Sequence, residues 1–248
     1  MNIWLETEET IEAGKGFAPF GACHLFWIAV FLVSAVLCCI FYRKSGTKGR
    51  SIFRKFFGIA VVADELLKTA VLFIGGTFLP RYLPLHLCSI NIIVIAIHSF
   101  RPSKVIDNYL YTIALPASVL PLITPTWSVL PINNLMHIHS FTVHILLAIY
   151  PMMLLAGGDI KPQFKLIPKM ILALAVLAIP ALAANLIFDT NFMFLMYPEP
   201  GTPLVWFEQN MGSHLWGFPI LITVVIALMH SPFIIKNLLS RKKSINQA

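Results

Sequence analysis

The segment "LPLHLCSINIIVIAI", residues 83 to 97, places an imidazole, a thiol and a carboxamide, at His86, Cys88 and Asn91, in the first turns of an apolar run. A thiol becomes a nucleophile when a base or a positive charge stabilises its thiolate. With imidazole as that base, sulfur attacks an ester carbonyl, forms a thioester and passes the acyl group to an acceptor hydroxyl. An amide such as Asn91 or Asn185 could then bind the developing oxyanion.

Helical geometry sorts these groups. Cys88 and Asn91 stand about 60° apart and share a face, whereas His86 is about 160° from Cys88 and is therefore a poor base for it. A histidine from another helix is needed, and "NNLMHIHSFTVHILL" offers three: His137 and His144 on nearly one face, His139 on another. With Pro84 as the first helical residue, Cys88 sits about 6 Å further in, near the depth of phospholipid ester bonds. The helix N-terminus contributes little there, because its field fades within the first turn. Two non-catalytic readings stand beside this one: Cys88 packs one helix on another, or it forms a disulfide with Cys23.

Stepping these groups into place requires a membrane. Of 248 residues, 58% are hydrophobic and 12% charged, with a mean hydropathy of +0.80, more apolar surface than one soluble core could hide. The expected class is all-α, a polytopic bundle of seven transmembrane helices in a single integral domain over 1–248. The spans fall near 22–42, 52–75, 83–100, 107–125, 136–156, 168–188 and 214–235. Pro116, Pro121 and Pro125 interrupt the fourth, and Pro151, Pro180 and Pro219 predict kinks elsewhere.

Charge gives orientation. Basic residues cluster in alternate connections: Arg43 to Lys55, Arg101 and Lys104, Lys161 to Lys169, and the tail residues Lys236, Arg241, Lys242 and Lys243. The other connections are acidic or nearly uncharged. The positive-inside rule then puts the N-terminus outside and the C-terminus in the cytoplasm. Because the 18 Lys and Arg lie in short clusters rather than one patch, nucleic-acid binding is excluded. The acidic start lacks the features of a cleavable signal peptide.

In that orientation six of the eight histidines, His24, His86, His137, His139, His144 and His214, lie toward the outer face, with His98 and His230 at the cytoplasmic ends. Asp64, Glu65 and Lys68 in the second span and Asn185 near the end of the sixth join them. Charged groups inside a span are costly unless they face protein or water, so the clustering predicts a polar cavity opening outward. Asp64 and Lys68 could equally neutralise each other along their helix.

The stretches "LPLHLCSINIIV", "SFTVHILLAIYPMMLL" and "ANLIFDTNFMFLMYPEPGTPL" resemble the YwaF-like integral membrane protein family of bacteria, related to the eukaryotic transmembrane protein 164 acyltransferase. The resemblance implies a seven-helix acyltransferase that moves a fatty acyl chain between phospholipids, with the cysteine of an H-L-C motif as nucleophile. The matching residues are Cys88, with His86 beside it, His144 in the fifth span, and Asn185 and Asn191 in the sixth-span motif. Phe192 stands where the family usually has Tyr, and "GSHLWGFP", which contains His214, is a looser match.

Three functions follow as expectations. The first is a phospholipid transacylase with Cys88 and His144 as its catalytic pair, His86, Asn91, His139, Asn185, Glu65, Lys68, Asn191 and His214 in support, and no cofactor or metal. Its partners are phospholipid and lyso-lipid substrates and the bilayer itself. The second is a zinc-dependent lipid amide hydrolase, for which the sequence has neither H-x-x-x-H nor H-E-x-x-H. The third is a non-enzymatic transporter or receptor that uses Asp64, Glu65 and Lys68 for a solute or for protons.

Overall fold

A computed structural model describes residues 3–245, with side chains placed as far as Ile235. The basic tail residues Lys236, Arg241, Lys242 and Lys243 therefore lie outside the described side chains. Among the described residues there is no strand. The α-helices are α1 (Ala22–Lys44), α2 (Thr47–Ile74), α3 (Leu87–Phe100), α4 (Lys104–Tyr109), α5 (Leu115–Ile123), α6 (Leu135–Gly157), α7 (Ile167–Phe188), α8 (Pro203–Met211) and α9 (Gly217–Ile245). A wide π turn, Leu110–Ala114, joins α4 to α5 in one continuous rod.

Five stretches are long and apolar enough to cross a bilayer: Ala22–Lys44, Lys104–Ile123, Leu135–Gly157, Phe164–Phe188 and His214–Ile235. Their outward faces carry large apolar side chains, such as Leu32, Val36, Leu172, Val176 and Ile179, each more than 50% exposed. Such a surface is stable only against hydrocarbon. The protein is an integral, multi-pass membrane protein.

The other two expected spans differ in kind. α2 has 28 residues, but it carries Lys48, Arg50, Arg54, Lys55, Asp64, Glu65 and Lys68. α3 has 14 residues and starts at Leu87, not at Pro84. The chain before it is spent on a 3₁₀ turn, Pro80–Tyr82, and on a tight Leu85 N–H to Leu83 C=O bond, so its first helical hydrogen bond runs from Ile90 to His86. At about 1.5 Å per residue α3 is roughly 21 Å long, short of the hydrocarbon thickness.

The chain forms two compact units, Met1–Met193 and Phe194–Ala248. In the first, α6 is the axis, packed against α1, α2, α3 and α5. Its side chains Phe141, Leu147, Tyr150, Met153 and Leu154 are fully buried. Asn134 starts it by accepting the N–H groups of Met136 and His137, and Gly158, at φ +77°, ends it. Gly58 lets α2 meet α3 closely, since a Cβ there would stand 2.2 Å from Ser99 Oγ. The second unit folds α8 and a short His214–Trp216 turn onto the start of α9, where Gly217 admits Leu204 and Phe207. The connection before the last span thus contains the helix α8.

Candidate functional site

Cys88 is the second residue of α3, after the N-cap His86. The later helix start corrects the expected depth: the thiol lies in the first turn, where unbonded N–H groups stabilise negative charge. It is partly accessible, and its Sγ donates to the Ala117 carbonyl on α5 at 3.4 Å. That carbonyl has room for it because Pro121, four residues on, has no N–H to offer. Sequence chemistry in one span thus sets the resting partner of a thiol in another.

One turn beyond Cys88, Asn91 is wholly buried. Its Oδ1 accepts the Tyr109 hydroxyl at 3.0 Å, and its Nδ2 has no partner. A buried, unpaired amide donor costs about 1–3 kcal/mol, so this one calls for a reason. Tyr109 is the last residue of α4, immediately before the π turn, in which Leu115 N–H bonds to Leu110 C=O. Pro116 accounts for that widening, since it removes the N–H that would bond Thr112 and its ring crowds the same turn.

His144 on α6 donates Nδ1–H to the Ser140 carbonyl at 2.6 Å and stacks on Trp127, with ring centroids 5.2 Å apart. The bond leaves the Nε2 lone pair as the basic position. Cys88 and His144 are not hydrogen-bonded to each other: the thiol rests on Ala117 and the imidazole on Ser140. The buried Trp127 Nε1–H has no partner.

His139 points to α2. Its Nδ1 is 3.0 Å from Asp64 Oδ2, and its Nε2 is 3.5 Å from Glu65 Oε2. Thr142 donates to Asp64, while Lys68 binds Glu65 and the Tyr82 carbonyl. The expected Asp64–Lys68 pair is therefore replaced by Glu65–Lys68, with Asp64 turned to α6. Glu65 and Lys68 form the ion pair of this cluster where α2 packs on α6, and the buried His139 Nδ1 makes no hydrogen bond of good geometry to Asp64.

The remaining expected residues of the first unit brace the frame. His86 Nδ1 accepts the Met193 N–H at 3.4 Å and its ring meets Phe192 edge-on. Asn185 clasps the Phe192 backbone from both sides, donating to its carbonyl and accepting its N–H. Its amide donor is thus already used, unlike that of Asn91. Asn191 stands in the same turn, half-buried. His137 accepts Trp27 Nε1–H at 3.0 Å, with Cys23 Sγ 3.7 Å from the same nitrogen, and His24 bonds the Leu122 carbonyl. In the second unit His214 bonds Glu208 through Nδ1 and through its backbone N–H, which holds that exposed carboxyl below its usual range, while His214 Nε2 is buried without a partner.

All four cysteines are free thiols, so Cys23 and Cys88 are not joined. Among the described residues no three His, Cys, Asp or Glu side chains form a group that could hold a metal ion. A surface cavity of about 500 Å³ is lined by Glu8, Glu12, Phe17 and Ser128 among others, none of them an expected site residue. Tyr109, Trp127 and Ala117 were not foreseen; the usable signal was the Pro116 and Pro121 pair, which frees carbonyls inside a span.

No curated protein and no solved structure matches the chain. Its residues 19–230 match the TMEM164 family, from just before α1 into α9, and with most of its length covered the chain belongs to that family.

Proposed function

We propose that the protein is a membrane-embedded acyltransferase that moves a fatty acyl chain between phospholipids through a thioester on Cys88. The observation that carries this reading is the buried Asn91 amide, with an unpaired Nδ2, one helical turn from a thiol in the first turn of α3. The resemblance around the H-L-C segment supports the same assignment. With the seven crossings and outside N-terminus expected from the charge pattern, this turn would lie toward the outer leaflet, near the depth of phospholipid ester bonds.

In the first half-reaction His144 Nε2 takes the Cys88 proton, sulfur bonds to the ester carbonyl carbon, and Asn91 Nδ2 donates to the oxyanion. Collapse breaks the carbon–oxygen bond, and the leaving alkoxide regains the proton as a lyso-lipid hydroxyl. The second half-reaction reverses these steps with an acceptor hydroxyl, so atoms and protons balance without a cofactor. The thiol leaves Ala117 for His144 when substrate enters, as catalytic hydrogen bonds often tighten only in the complex. His139, Glu65, Lys68, His86, Asn185 and Asn191 act as supports for this frame, while His214 bonds Glu208 within the second unit.

Purified protein with labelled phospholipid and lyso-lipid tests the proposal. Cys88→Ala should reduce transfer to background while the thermal midpoint stays within a few degrees. Transfer at the wild-type rate would exclude the thioester. A second reading is favoured by the Asp64–His139–Glu65–Lys68 cluster, which has the ingredients of a proton-coupled solute carrier. Flux in proteoliposomes that survives Cys88→Ala and is lost in Asp64→Asn would select it.

A further inference from the structure

The amide of Asn91 can serve an oxyanion only if it is held one way round, and nothing on α3 itself does this. The hydroxyl of Tyr109 does: it donates to Oδ1, and because a phenol, with its lone pair delocalised into the ring, is a better donor than acceptor, this pairing is favoured over the flipped carboxamide that would present N–H to it. Both side chains are buried, at 2% and 0% exposure. The segment that brings Tyr109 is itself fixed, because the neighbouring Asn108 bonds both the N–H and the carbonyl of Gln163 at 2.8 Å.

The π turn has a geometric consequence at the same place. In an uninterrupted α-helix residues 109 and 117 are eight positions apart, about 80° off a common face. A turn that bonds i to i+5 rotates less per residue, and five such residues, Leu110–Ala114, bring the two back toward one side. That side is the one facing α3, since Tyr109 bonds Asn91 and Ala117 bonds Cys88. A single widened turn therefore serves both the thiol and the amide.

We infer that Tyr109 is a positioning residue for acyl transfer, fixing through its hydroxyl the amide orientation in which Asn91 Nδ2 faces the reacting carbonyl, with the adjoining π turn setting its phase. The inference rests on the thioester reading above. It concerns an oxygen that touches no substrate and acts only through Asn91.

The test isolates the first half-reaction. Full-length protein in detergent is mixed with a p-nitrophenyl ester of a long-chain fatty acid, and acylation of Cys88 is followed by intact mass and peptide mapping. Tyr109→Phe should slow acylation about tenfold at saturating ester with little change in the half-saturating concentration. Asn91→Ala should slow it more, and the double variant should be no slower than Asn91→Ala alone, because Tyr109 has nothing left to orient. Ser118→Ala, which removes another buried hydroxyl from the same rod, one bonded only to its own helix at Ala114, should leave the rate unchanged. If Tyr109→Phe matches wild type, or its effect adds in full to that of Asn91→Ala, the positioning role is overturned and the thioester stands. If wild-type Cys88 takes up no acyl group, the thioester reading falls and this inference with it.

Discussion

The two ends of α3 are built from similar materials to opposite effect. At its C-terminal end His98, 2% exposed, spends both ring nitrogens: Nδ1 accepts the Tyr150 hydroxyl and Nε2 meets Asp107, each at 2.8 Å. That closed set ties α3 to α4 and α6. At the N-terminal end Asn91 has one atom fixed by a tyrosine and the other left unpaired, and the thiol beside it makes only a weak bond to a carbonyl. A polar group buried with every bond made is explained by stability. One buried with a donor to spare costs the fold free energy and is better explained by a ligand that completes it.

The contrast can be broken by substitution at either end. The largest effect expected is at Cys88, where Ala leaves only background transfer. Next comes Asn91→Ala, which should lower the rate by about 10²–10³, as for loss of one oxyanion donor; a change below threefold would remove Asn91 from the chemistry. His98→Ala should act the other way. It orphans Tyr150 and Asp107 and should destabilise by about 2–4 kcal/mol, read as a lower thermal midpoint, while activity per folded molecule is retained. Loss of activity with unchanged stability would make the C-terminal cluster functional instead.

The smallest effect sharpens the account of the resting thiol. Pro121→Ala gives the Ala117 carbonyl a helical N–H partner, so Cys88 should be released and react about two- to fivefold faster with a small maleimide. An unchanged alkylation rate would show that the Ala117 contact does not hold the sulfur.

Much of this frame was legible without coordinates. All seven expected segments are helical, and five of them are long and apolar enough to cross a bilayer, because hydropathy over about 20 residues is a local property of the chain. Asn134 before α6 and Gly158 after it are residue types that favour a helix start and stop, and the structure uses both. Element edges were less so: α3 starts three residues after Pro84, since backbone bonds in the preceding turn compete for the same groups. Pairings were the least legible. Three histidines on α6 were each available to Cys88 by depth alone, yet His137 turned to Trp27, His139 to Asp64 and His144 to Ser140.

Composition and pattern alone thus established a multi-pass helical membrane protein, and they singled out Cys88 and Asn91 as sharing one face of a short helix. Those properties depend on neighbours along the chain. Which atom meets which across helices was decided only by packing, where α6 sets the rotation of α1, α2, α3 and α5 about itself and a π turn rephases the rod carrying Tyr109 and Ala117. A hydrogen bond needs its partner within about 3 Å and in the right direction, and a helix rotated by one residue's 100° presents a different side chain altogether.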